Sequence, residues 1–143
     1  MKIKILRKNG CAILVVMCLI GLFLPFVDVY NGMESSMYSD VKKAAEYEID
    51  YECMKYLDKY PQGEYAKEVS DILLHKMEKD GDIKRTYKMG LRYTSLEVGK
   101  DLKELAYKIA ETKNDYYSWS QYIEVCDVED MRDAQEKIIE CSH

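Results

Sequence analysis

The sequence predicts an all-α protein: an N-terminal membrane helix followed by a short α-solenoid of about six antiparallel helices. Three observations carry this reading. Residues 11 to 27, CAILVVMCLIGLFLPFV, are an unbroken apolar run of 17 preceded by a basic leader. Beyond it the apolar residues recur at the 3.6-residue spacing of an amphipathic helix, and no stretch alternates with period two for long enough to make a strand. The breaks between these helices repeat every 33 residues, the mark of stacked units that cannot bury both faces alone.

The leader, MKIKILRKNG, carries Lys2, Lys4, Arg7 and Lys8 and no acid. The apolar run gives roughly 25 Å of helix, and continuing to Tyr30 brings it to about 30 Å, the thickness of a hydrocarbon core. An uncleaved anchor fits best. Cleavage would want a small-residue pair, which VDVYNGMESS lacks, and a lipidated Cys18 would want a small residue where Met17 stands. All three routes export the rest of the chain. The first cation after the run is Lys42, so the charge asymmetry keeps the N-terminus cytoplasmic and places the remainder outside.

Of the 26 acids all but Asp28, and of the 21 cations all but the leader's four, lie beyond residue 33, leaving that part with a net charge of −8. Such a chain repels nucleic acid and anionic lipid and favours basic partners. Cys53, Cys126 and Cys141 are an odd set, and a helix over 128 to 140 would hold the last two about 20 Å apart, so no disulfide framework is expected.

In order, Ala45, Ile49, Cys53, Leu57 and Tyr60 mark a helix over 40 to 60. Ala66, Val69, Leu73 and Met77 mark one over 64 to 79, and a third spans 83 to 93. Leu102, Leu105, Ala106, Ile109 and Ala110 mark 95 to 113. A fifth covers 115 to 126, and Met131, Ala134 and Ile138 mark 128 to 141. Pro61 and Gly63 punctuate the first junction, Gly81-Asp82 and Asn114-Asp115 the turns within the units. Thr94 with Glu97 has capping-box spacing, and Asp82, Asp115 and Asp127 are placed as N-caps. Pro61, Thr94 and Asp127 are 33 apart, as are Gly81-Asp82 and Asn114-Asp115. Side chains keep the same offset: Tyr56, Met89, Tyr122; Tyr60, Tyr93, Cys126; Ile72, Leu105, Ile138; Leu73, Ala106, Ile139. Gly90 is the irregularity, standing where the other copies have Leu57 and Ile123.

The string YLDKYPQGEYAKEV, followed by DGD and a second helix, resembles the tetratricopeptide-type repeats of bacterial envelope proteins, of the outer-membrane assembly lipoprotein and TolA-binding type. There an aromatic-Pro-x-small-x-aromatic stretch joins one repeat to the next, and Gly-Asp separates the two helices of a repeat. The residues give a basic leader over 1–10, an anchor or signal segment over 11–30 and a linker over 31–39, and the resemblance implies a tetratricopeptide-like domain over 40–143. It also implies a cell-membrane or envelope location and work as a protein-protein adaptor or assembly factor.

Reaction centres are not found. His75 and His143 are the only histidines, His75-Lys-Met-Glu78 lacks the companions a di-metal bundle needs, and no zinc, nucleophile-elbow or phosphate-loop motif occurs. Acids such as Glu48 and Glu52 read as a solvated face. No catalysis and no cofactor are expected. The 13 tyrosines and the single tryptophan, against two phenylalanines, bury a ring while keeping a polar tip wet. Tyr116 and Tyr117 are adjacent, so one must be displayed. Tyr51, Tyr116, Tyr117 and Trp119 are the expected contacts for a protein or peptide partner. The rival expectation is a membrane-anchored sensory bundle that binds a small ligand in its core.

Overall fold

The computed structural model describes residues 29–141, and within these the secondary structure is entirely helical. Helix α1 covers residues 29–43, followed by α2 (Ile49–Lys59), α3 (Ala66–Asp80), α4 (Ile83–Arg92), α5 (Glu97–Lys113), α6 (Tyr116–Ile123) and α7 (Val128–Cys141). No helix among the described residues is long and apolar enough to cross a membrane. The expected anchor falls, up to residue 28, outside the described residues.

Two expectations change at the N-terminal end. Residues 31–39 were expected to be a linker and are part of α1, while the helix expected over 40 to 60 is broken at 44–48. The physical reason for the first is an inward face: Met37 and Tyr38 pack against the core, Val41 is buried, and the Tyr38 ring stacks on Tyr65 at 4.1 Å. Glu34 is buried too, its carboxylate accepting the Tyr56 hydroxyl, which in turn accepts the Tyr65 amide at 3.2 Å. Gly63 belongs to the same knot, because a Cβ there would overlap the Glu34 carboxylate and come within 2.8 Å of the Tyr56 hydroxyl. The PQG junction is thus shaped to receive α1.

The two turns inside the units are chemically alike. Gly81 at φ 62° ends α3 with its N–H on the Met77 carbonyl at 3.0 Å, and Asn114 at φ 43° ends α5 with its N–H on Ala110 at 2.8 Å. This left-handed cap costs glycine nothing and asparagine little. The following aspartate starts the next helix: Asp82 accepts from the Arg85 amide at 3.0 Å and Asp115 from the Ser118 amide at 2.8 Å. Thr94 does not cap α5. Helix α5 starts at Glu97 from an extended Leu96 that makes no side-chain cap, and the turn before it closes through the Leu96 amide on the Tyr93 carbonyl at 2.8 Å. At α7 the Asp127 carbonyl takes the Met131 amide at 3.1 Å, while the Asp127 carboxylate is held by Lys103 at 2.6 Å.

Helices pack on their neighbours and on the next but one: α3 lies against α2 and α5, α4 against α5 and α6, and α6 against α7. Two cores result. Cys53, Tyr56, Leu57, Val69, Leu73, Met77, Tyr93 and Leu102 fill the first, and Ile83, Tyr87, Ala106, Ala110, Trp119, Tyr122 and Ala134 the second. Burial drives the Cys53 thiol up to about 12, leaving it an inert apolar filler. The irregular Gly90 has a cause. A Cβ there would stand 2.8 Å from the Gly99 carbonyl oxygen and 2.8 Å from the Lys103 side chain, and one on Gly99 would overlap the Tyr93 carbonyl. The α4–α5 seam is closer than side chains permit.

Candidate functional site

Helix α3 turns Val69, Leu73 and Met77 into the core, which leaves Glu68, Asp71, His75 and Glu78 on its exposed face. Helix α5 buries Val98, Leu102, Ala106 and Ile109 and leaves Asp101, Glu104, Lys108 and Glu111 outward or at the rim. The two sets are related by the 33-residue period, position for position: acid, acid, base, acid. Where α3 packs on α5, Asp71, His75 and Glu78 face Asp101, Glu104 and Lys108 across a cavity of about 420 Å³ whose apolar lining is Leu74 and Leu105. A second cavity of about 500 Å³ lies on the other flank of α3, with Ile49 and Ile72 as its apolar lining and Glu46, Glu68, Lys76 and Lys79 around them. Asp71 and His75 line both, so the two form one trench across α3.

The charges of the trench are unevenly matched. Lys42 of α1 bonds Glu68 at 2.6 Å and holds its carboxyl below the ordinary range, and Lys79 does the same for Glu46. Lys76 is paired with Asp80 at 2.5 Å. Asp71, Glu78 and Asp101 have no ion pair among the described residues. Asp101 is pushed above the usual carboxylate range, first by partial burial and then by Glu97 and Glu104. The trench can therefore stabilise positive charge along an apolar floor. Among the described residues no set of His, Cys, Asp or Glu is placed to hold a metal ion.

The tyrosines expected to meet a partner separate into two groups. Tyr116 and Tyr117, in the first turn of α6, are both displayed, at 60% and 71% exposure, and Tyr51 on α2 is 61% exposed. Trp119 is the correction: it is fully buried and has no surface to offer. Two residues past Tyr117, it is turned about 200° around the helix from that ring. Its indole N–H bonds the Asn114 side-chain oxygen at 3.2 Å, and its ring meets Tyr107 and Tyr122 edge-on. Nor is Tyr51 brought to Tyr116 and Tyr117. Helix α4 packs against α6 and is tied to α2 by the Asp50–Arg85 and Asp58–Arg92 ion pairs. Tyr51, Lys84 and Tyr117 occupy the same place in successive units, one on each second helix. The trench itself was missed in the sequence, although the 33-residue period already paired Asp71 with Glu104 and Glu68 with Asp101.

Compared with family models, with curated proteins and with solved structures, the chain matches none.

Proposed function

We propose that this chain is a protein-protein interaction adaptor or assembly factor of the cell envelope. In this reading a tetratricopeptide-like solenoid stands outside the membrane, held by residues 11–30 with the N-terminus cytoplasmic, and carries no catalytic activity. The supporting observation is the trench across α3: an apolar floor at Ile72, Leu74 and Leu105, and acidic walls whose residues repeat with the 33-residue period. Stacked helix pairs offer such surfaces to peptides and partner helices. Tyr116 and Tyr117 on α6 offer a second contact surface, and Tyr51 on α2 a separate one.

A photo-reactive residue replacing Glu104 in the trench, and another replacing Glu129 on the exposed side of α7, test this in the native membrane. A discrete adduct from position 104 and none from 129 is the expected result. No adduct from 104, or the same smear from both, would remove the adaptor reading. The ligand-binding alternative has one observation in its favour, the Tyr60 hydroxyl, buried without a hydrogen-bond partner among the described residues. A small polar ligand reaching that hydroxyl would raise the melting temperature of the native chain and not that of Tyr60→Phe.

A further inference from the structure

Lys42 on α1 and Glu68 on α3 form an ion pair at 2.6 Å between successive first helices. Advancing both positions by one 33-residue period gives His75 on α3 and Asp101 on α5. These two line the same cavity, yet no ion pair joins them. The step between α1 and α3 is closed by a lysine, and at the equivalent position between α3 and α5 stands a histidine that makes no ion pair with Asp101. Asp71 and Glu78 on the facing wall are likewise without ion pairs among the described residues, and the lysine that lines the cavity is Lys108.

Resting on the adaptor reading, we infer that the α3–α5 half of the trench docks an amphipathic, cationic peptide helix of a partner protein. Its Lys or Arg side chains pair with Asp101 and Asp71, and its apolar edge lies on Leu74 and Leu105. The lining runs from Asp71 to Glu78 on α3 and from Asp101 to Lys108 on α5, about 11 Å, or two turns of helix. Asp101 and Glu104 are three apart, the spacing at which successive turns of a docked helix present side chains on one edge. Nucleic acid and anionic lipid are repelled by the same walls. The raised carboxyl of Asp101 fits a place where a partner's positive charge replaces water, and docking should lower it.

The test uses the full-length chain in zwitterionic nanodiscs and a labelled 15-residue Leu/Lys amphipathic helix, with a Leu/Glu counterpart, read by fluorescence anisotropy. The Lys peptide should bind, more weakly as salt rises, and the Glu peptide should not. Asp71→Asn with Asp101→Asn should weaken binding about tenfold. The charge-matched double Glu129→Gln with Glu136→Gln, exposed on α7, should leave it unchanged. His75→Lys restores the internal cation of the preceding step, and should weaken the peptide about fivefold while circular dichroism shows the fold intact. Equal losses in the two doubles, binding of the Glu peptide, or an unaffected His75→Lys would each overturn the proposal. If the probe fails while position 104 still gives its discrete adduct, the cationic class is wrong and the adaptor reading stands; silence in both removes both.

Discussion

The Asp101 carboxyl is held above its ordinary value by partial burial, with Glu97 and Glu104 adding to the effect. A carboxyl raised by folding is most favourable when protonated. Its contribution to stability is complete below the unfolded pKa of about 3.9 and is lost as pH rises through the folded one. Asp101→Asn should therefore raise the melting temperature by about a degree or two at pH 7 and do nothing at pH 3. A variant that melts lower at pH 7 would contradict the account of crowded charge. Tyr56 shows the opposite economy. Its hydroxyl donates to buried Glu34 and accepts the Tyr65 amide, so Tyr56→Phe strands a carboxylate and an N–H together. A loss of roughly 1 to 3 kcal/mol in denaturant unfolding is expected. One period later Met89 takes the place of Tyr56, and the place of Glu34 is held by an exposed Lys67, so no hydroxyl is needed there. This difference is why the Tyr/Met/Tyr series was readable as a core position while the Glu34 knot was not: the period reports which side is inside, and it is silent on a partner 22 residues away in a polar segment.

At the scale of the helix, what could be read was the chemistry confined to a few neighbouring residues. Gly81-Asp82 and Asn114-Asp115 were legible because a left-handed cap followed by an acidic N-cap needs only its own two residues. The stretch AAEYE at 44–48 contains no Gly, Pro or Asp, so nothing local announces the break between α1 and α2; the packing of Tyr38 on Tyr65 and of Lys42 on Glu68 decides where α1 ends up. Thr94 had the right spacing, but Gly99 lies so close to the Tyr93 carbonyl that the backbone closes the turn before the hydroxyl is needed. Asp82→Ala and Asp115→Ala should each lower the urea midpoint, whereas Thr94→Ala should be nearly silent in the same series. The carboxyl of Asp115 is lowered first by the Ser118 amide, so its capping contribution is present above the unfolded value near 3.9 and fades as pH falls through the lower folded one. A melting curve series from pH 5 to pH 2 should accordingly show the gap between wild type and Asp115→Ala closing only at the acid end.

For the molecule as a whole, the two cores raise the question of whether it unfolds as one body. Helices α4 and α5 belong to both: α4 sends Met89 and its C-cap Tyr93 into the first core and Ile83 and Tyr87 into the second, and α5 sends Val98 and Leu102 into one and Ala106, Ile109 and Ala110 into the other. What lets one pair of helices serve two cores is their close seam at Gly90 and Gly99. The apolar spacing made the helices legible from the sequence, while the 33-residue period made Gly90 look like a defect, because the need for a bare backbone arises only when the facing helix also presents a glycine. Gly90→Ala would press a methyl group against the Gly99 carbonyl and the Lys103 backbone, both at 3.1 Å or less, and the second of these is in a helix that cannot easily yield. A loss of roughly 2 to 4 kcal/mol is expected. Its distribution is the informative part. If the seam joins the cores, hydrogen exchange should rise together at Leu57 and Val69 on one side and at Trp119 and Tyr122 on the other, and thermal unfolding should remain a single step at lower temperature. Were the increase confined to α6 and α7, the cores would be separate folding units that merely touch, and a partner seated between α3 and α5 could stiffen only the first of them.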